Sequence, residues 1–404
     1  MTDLRLPQGK EGVLPDHFLR AAIDSGAIGG SSDDIPETNV QPASLDLRLG
    51  AKAYRIRCSF LPGVQTVEER MKDLVIDEID LDGEGAVLET NRPYLIPLQE
   101  RLRLPQNVRA KANPKSSTGR ADVFTRVITD RSARFDDVQA GYAGQLYLEV
   151  VPLSFPVRVR RGLTLNQLRL SVGRAQLTDR EIASEHAARP LLYAEGKPVS
   201  AGNLGLASGL FLSLNLHGDR KRGVGWRARA SPPLLDLGKV GAADPGQFWE
   251  RVVREDGDRV VLNPKNFYLL MSYEAVTIPP NLASEMTAYD PTSGELRTHY
   301  AGFFDPGFGY SASGERRGST AALEVRAHDI PFMIEHRQHV CKLTFERMLE
   351  EPTALYGQQG FGSSYQGQSE TLGKHFNVRP EPSSAQSSAP DVQPELEQLQ
   401  LPAQ

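Results

Sequence analysis

The sequence predicts a mainly β protein made of two tandem domains, each a distorted β-barrel or jelly-roll-like sandwich with a few short helices. Three observations lead there. At 404 residues the chain exceeds what one hydrophobic core usually supports. It repeats itself at a fixed spacing. And most of its apolar residues fall in short alternating runs broken by Pro, Gly, Asn and Asp.

The repeat is direct. VLETNRPYLIPLQERLRLPQN from Val87 matches VLNPKNFYLLMSYEAVTIPPN from Val261 at an offset of 174, pairing Tyr94 with Tyr268, Glu100 with Glu274, Pro105 with Pro279 and Asn107 with Asn281. Downstream, GQLYLEVVPLSFPVRVRRGLTLNQLRL answers STAALEVRAHDIPFMIEHRQHVCKLTF, with Glu149 opposite Glu324 at an offset of 175. Upstream, SLDL from Ser44 resembles SLNL from Ser213.

Taken in order, PDHFLRAAIDSG near the N-terminus reads as a helix, with an early Pro and Asp and a Gly beyond its end. LYLEVV, VRVRR, FYLLMSY, ALEVRAH and CKLTF read as strands, and PGQFWERVVRE around Phe248 as a second helix. The Gly- and Ala-rich stretch Gly196 to Ser208 marks the join. The expected domains are residues 1–197 and 205–352, followed by a C-terminal lid at 353–379 and a tail at 380–404. The tail is rich in Pro, Ser and Gln with almost no aromatic or β-branched residues, so disorder is expected there.

A net charge of −5 argues against a general affinity for nucleic acid or for an anionic membrane, so a phosphate site must be local. Cys58 and Cys341 fall outside any paired spacing, which fits a reducing cytoplasm. No export signal and no run of roughly 18 apolar residues is present, so a cytoplasmic protein is expected.

The richest polar segment is NPKSSTGR, Asn113 to Arg120. Ser and Gly in a turn offer N–H and hydroxyl donors to phosphate oxygens, and Arg adds a planar charged fork. Alone, such a string is more often a solvated turn with an incidental Arg. Its neighbours add weight: QPASLDLRLG (Gln41–Gly50), KSSTGR (Lys115–Arg120), GYAGQLYLEV (Gly141–Val150), RGLTLNQLRL (Arg161–Leu170) and YQGQ (Tyr365–Gln368) follow one another in order.

In this set the chain resembles the dCTP deaminase family, within the wider fold group that contains the trimeric dUTPases; the likeness spans most of 14–190 and, more loosely, 205–370. It implies two dUTPase-like domains and carries triphosphate binding onto Ser116, Ser117 and Arg120. It places a general base at Glu149 or Glu324, and a cytosine-reading strand around Arg126 to Thr129. A lid with Tyr356, Tyr365 and Gln368 would close over the nucleotide, although Ser364 stands where the family has a lysine. In the second copy, Ser293 and Arg297 repeat the spacing of Ser116 and Arg120, while HYAGFFDPGFG supplies His299 and Asp305.

Attack at C4 of cytosine needs a water deprotonated on approach and a proton returned afterwards, which one glutamate can do if burial raises its pKa. The alternation in LYLEVV and ALEVRA, however, places each Glu opposite its apolar neighbours, as an exposed charge would be. Asp46, mid-strand in SLDLRLG, reads as a structural carboxylate needing a partner.

Zinc-dependent base deaminases use H-x-E and P-C-x-x-C, and neither string occurs, so no protein-bound metal is expected and Mg2+ would arrive with the triphosphate. The expected reaction is dCTP to dUTP and ammonia; dUTP hydrolysis, alone or in addition, and a non-catalytic nucleotide regulator stand as alternatives. Because the fold group forms its sites between subunits, a homo-oligomer with threefold symmetry is implied. Two site arrangements stay open: a composite of Ser116, Ser117 and Arg120 with His299, Asp305 and Glu324, or sites made by first copies of different chains through Glu149.

Overall fold

A computed structural model describes residues 4–30, 34–217, 223–288, 302–311, 318–327, 329–358, 365–368 and 370–378, with the backbone of 296–298. Ser293, His299, Ser364 and the 380–404 tail lie outside the described residues.

The protein is mainly β, and the repeat is visible in its hydrogen bonds. In the first copy, strand Tyr94–Arg103 pairs antiparallel with Ala143–Pro152, which pairs in turn with Val123–Thr129. In the second, Phe267–Val276 pairs with Ser319–Ala327, which pairs with Leu296–Thr298. Glu149 sits opposite Leu95, and Glu324 opposite Leu269, which preserves the offsets of 174 and 175. The opposing sheets match as well: Thr164–Val172 lies between Leu45–Arg48 and Val108–Pro114, and His339–Arg347 between Leu210–Ser213 and Leu282–Ala288.

Side chains repeat the pattern. The Tyr94 hydroxyl accepts from the Glu89 amide at 3.1 Å, and the Tyr268 hydroxyl from that of Asn263 at 2.9 Å. Glu100 and Glu274 each accept at 2.8 Å from a backbone amide, of Arg48 and Ser213 respectively. These carboxylates hold the two sheets of each copy together, a role that explains why both copies carry them.

Several expectations need correction. Strand register makes Leu45 the counterpart of Leu210, since they pair with Leu168 and Leu343. Arg48, not Ser44, is therefore the partner of Ser213. The SLDL/SLNL match is slipped by four residues, and an even slip leaves a period-2 pattern looking unchanged.

The join also lies earlier than the expected 197–205 stretch. Helix Asp179–Ala188 and strand Leu192–Ala194 are the second-copy counterparts of helix Asp16–Asp24 and strand Ile28–Gly29, because Leu192 pairs with Val276 where Ile28 pairs with Leu102. The helix opens with a capping box of Thr178 and Glu181. Around Phe248, only Pro245–Phe248 is helical. Trp249–Val252 is a strand, because Trp249 is buried edge-on against Phe155 and Phe376.

Two large cores follow the two copies, yet they are not separate. Leu235, Leu237, Phe248 and Trp249 from the second copy complete the first core. Leu235–Asp236 adds a parallel strand to Val157–Val159, secured by an Arg160–Asp236 ion pair at 2.8 Å. This overlap brings one face of each copy against the other. Among the described residues no helix is long and apolar enough to cross a membrane.

Candidate active site

A cavity of about 450 Å3 opens where the two copies meet. The first copy contributes the turn after strand Val108–Pro114. There Lys115 precedes a single helical turn, Ser116–Gly119, that ends in Arg120. Ser116, Ser117, Arg120 and Lys115 all line the cavity, joined by Asn39, Gln41, Asp46 and Thr164. The second copy contributes Phe303 to Asp305, Phe308 and Glu324, and the C-terminal segment adds Tyr356, Tyr365, Gln368 and Lys374.

Glu324 projects from strand Ser319–Ala327 and is 8% exposed. Burial pushes its carboxyl well above the usual range; the nearby Arg120 guanidinium opposes this and the Asp122 carboxylate adds to it. It lies so close to the serine turn that a Cβ on Gly119 would come within 2.5 Å of Oε2, so the absence of a side chain at 119 makes room for the carboxylate.

Arg120 is 4% exposed. It donates to Gln368 Oε1 at 2.7 Å and to the Thr371 carbonyl at 3.3 Å, and its guanidinium lies over the Tyr365 ring at 3.7 Å. Among the described residues its Nε has no hydrogen-bond partner. Gln368 is fixed from behind by donating to the Thr320 carbonyl at 2.7 Å. The Tyr356 hydroxyl accepts from the Tyr365 amide at 3.2 Å, and burial pushes its pKa up to about 12. The C-terminal segment thus folds back across the Ser116–Arg120 turn, anchored by Trp226 donating to Glu370 at 2.7 Å and by Phe376 against Phe248 and Trp249.

Asp305 lines the cavity wall, but its carboxylate is committed to Arg169 at 3.0 Å and to the Ser44 hydroxyl at 3.2 Å. Arg169, 2% exposed, also meets Glu346 at 2.9 Å, the Ser284 carbonyl at 3.1 Å and the Phe303 ring at 3.9 Å. This clamp ties the copies together beneath the cavity. The Asp305-Pro306-Gly307 turn needs its glycine: Gly307 has φ +102°, and the Tyr356 backbone packs where a Cβ would be. Asp46 pairs with Lys115, which donates also to Thr164 Oγ1 at 3.1 Å.

The structure does not bring Glu149, Arg126 or Thr129 to this cavity. Glu149 is fully buried on strand Ala143–Pro152 and accepts from Arg126 at 2.6 and 3.2 Å. Arg126 is held in turn by Ser59 at 2.7 Å and by the Phe124 and Phe135 rings. Both glutamates are inward-facing, against the alternation argument, because both faces of these strands are covered. Arg297 lies on strand Leu296–Thr298; since Thr298 pairs with Val325 as Thr125 pairs with Val150, Arg297 corresponds to Phe124 and not to Arg120.

Among the contributors that escaped the sequence reading are two lysines. Lys115, beside the serines, carried its own signal as a cation in a phosphate-type turn. Lys374 did not, since GKHF near the C-terminus belongs to no motif and reaches the cavity only through tertiary packing.

A buried carboxyl of raised pKa, set beside serines and an arginine in a cavity large enough for a small molecule, is the arrangement of a hydrolytic enzyme for a small polyanionic substrate. Residues 10–174 match the family model of the 2'-deoxycytidine 5'-triphosphate deaminase N-terminal domain, and 178–376 that of its C-terminal domain. The crystal structure of 2'-deoxycytidine 5'-triphosphate deaminase from Agrobacterium tumefaciens is 45% identical, with a TM-score of 0.78 over 85% of this chain and 99% of that one. A dCTP deaminase of Natronomonas pharaonis is 32% identical over 158 residues, 39% of this chain and 78% of its own length. A dUMP-forming dCTP deaminase of Mycobacterium bovis is 31% identical over 161 residues, again 39% and 78%. The chain belongs to the 2'-deoxycytidine 5'-triphosphate deaminase family.

Proposed function

We propose that the chain hydrolyses dCTP to dUTP and ammonia, at a site built within one chain from the serine turn of the first copy and Glu324 of the second. The observation that carries this reading is the position of Glu324: a buried carboxyl, its pKa raised by burial, packed against the Ser116–Gly119 turn inside one cavity.

The chemistry then runs through this chain's own groups. Ser116, Ser117 and Arg120 hold phosphoryl oxygens, and Tyr356, Tyr365 and Gln368 shut out bulk water. Glu324 as carboxylate takes a proton from the water whose oxygen bonds to C4. It passes that proton to the ring nitrogen N3; the remaining proton of the C4 hydroxyl then moves through Glu324 to the amino group, C4=O forms as the C4–N bond breaks, and ammonia leaves.

We propose further that no zinc takes part. Among the described residues no three His, Cys, Asp or Glu side chains converge as a metal cage. Asp46 and Asp305 on the cavity wall are already engaged by Lys115 and Arg169. Mg2+ would therefore enter on the nucleotide's phosphates, which supply its oxygen ligands. Two free cysteines, Cys58 and Cys341, support a cytoplasmic setting, and the family resemblance supports a threefold oligomer.

A second reading, continued hydrolysis of dUTP to dUMP and pyrophosphate, is favoured by the dUMP-forming relative. One assay separates them. Purified chain with dCTP and Mg2+ is expected to release ammonia and dUTP in equal amounts; pyrophosphate and dUMP would support the second reading, and no turnover would refute both. After chelation, activity restored by Mg2+ supports the zinc-free chemistry, whereas restoration by Zn2+ but not Mg2+ would overturn it.

A further inference from the structure

Resting on the reading of the cavity as a triphosphate site, we propose that Lys374 is a phosphate-binding residue. It would replace, from ten positions further along the chain, the lysine that is missing at Ser364.

Four observations converge. Lys374 lines the cavity beside Arg120 and Lys115. The chain on either side of it packs onto the serine turn: a Cβ on Gly373 would lie 3.5 Å from Arg120 Cβ and 3.7 Å from the Ser117 carbonyl oxygen. Its backbone amide donates to the Tyr365 hydroxyl at 3.1 Å, and the Tyr365 ring carries Arg120. Fourth, the charges on the wall leave it unmatched. Asp46 pairs with Lys115 and Asp305 with Arg169, and among the described residues no carboxylate lies within ion-pairing reach of the Lys374 ammonium.

The ammonium is half-buried, and burial, together with the neighbouring Lys115, pushes its pKa below the usual lysine range while Asp46 opposes this. A partly desolvated cation that also faces Lys115 is costly unless an anion completes the set. A polyphosphate supplies that anion. Its position is held rigidly: His375 next to it sits against the Lys239 carbonyl at 3.2 Å, and Asn377 donates its amide to Ala243 at 2.8 Å. The loss at Ser364 is thereby offset by a lysine on an anchored segment.

The test uses full-length Glu324→Gln protein, which binds without turnover, and compares dCTP with dCMP by calorimetry. Adding Lys374→Gln is expected to weaken dCTP about tenfold or more, to leave dCMP within twofold, and to be largely rescued by Lys374→Arg. In the active background Lys374→Gln should raise KM and leave kcat within about twofold. Arg120→Ala serves as the reference. If it weakens dCTP while Lys374→Gln does not, this proposal is overturned and the triphosphate reading survives; if neither changes dCTP affinity, the triphosphate reading itself fails. Loss of dCMP and dCTP binding by the same factor in Lys374→Gln, with a lowered Tm, would assign Lys374 a structural role and also overturn the proposal.

Discussion

Substituting each of the two repeat-equivalent glutamates by glutamine should give opposite phenotypes. Burial raises the pKa of Glu324 in the fold. For such a group the folded state holds its proton more tightly than the unfolded chain, so its stabilising contribution is full at low pH and is lost as pH rises through the raised pKa. A glutamine, neutral at every pH, escapes that loss, so Glu324→Gln should be as stable as the parent at acid pH and more stable at pH 8. Its kcat should fall by roughly 10^2 to 10^4, the usual worth of a positioned acid–base group.

Glu149→Gln should behave the other way. The Arg126–Glu149 pair is made at 2.6 Å with the carboxylate fully buried and Arg126 only 23% exposed. Stranding one partner of a buried pair costs 3–5 kcal/mol, and a glutamine that keeps one acceptor for the guanidinium brings this to about 2–3 kcal/mol. For domains of this size that is a drop of roughly 5–10 °C in Tm. The fraction that remains folded should retain kcat and KM within about twofold. Thermal melts at pH 5.5 and 8 with steady-state dCTP kinetics read both effects. An inactive, thermally stable Glu149 variant beside an active Glu324 variant would refute the reasoning.

Two further outcomes follow from the same geometry. The pH profile of kcat/KM should rise through a limb above the ordinary carboxylate range, because Glu324 must lose its proton to act and its pKa is raised; a limb near pH 4, followed by ammonia release, would argue against that group. Arg169→Met should strand the buried Asp305 carboxylate and break the clamp to Glu346, at a cost of about 3–5 kcal/mol, seen as a lower midpoint in denaturant unfolding. An unchanged midpoint would remove the clamp from the account.

Much of this was legible in the sequence, and the exceptions have definite causes. The repeat declared itself because Tyr94 and Glu100, with Tyr268 and Glu274, perform the same hydrogen-bonding task in both copies. The serine turn and lid residues were readable as local strings. Residues whose partners are remote were not. The Asp305–Arg169 and Asp46–Lys115 pairs join segments 136 and 69 residues apart, so no window could reveal that these carboxylates are occupied. The burial of Glu149 and Glu324 contradicted strand alternation, since that argument assumes one wet face. The join was misplaced because the Gly-rich stretch was read as a linker, while the Thr178–Glu181 capping box that opens the second copy went unweighed.

The central claim is that the phosphate turn and the working glutamate belong to one chain. Mixing two inactive variants, Arg120→Ala and Glu324→Gln, after unfolding and joint refolding tests it most directly. Sites assembled within a chain leave the mixture as inactive as its parts. Recovery towards a quarter of parental activity, as expected when one chain lends its turn and another its carboxyl, would contradict the claim.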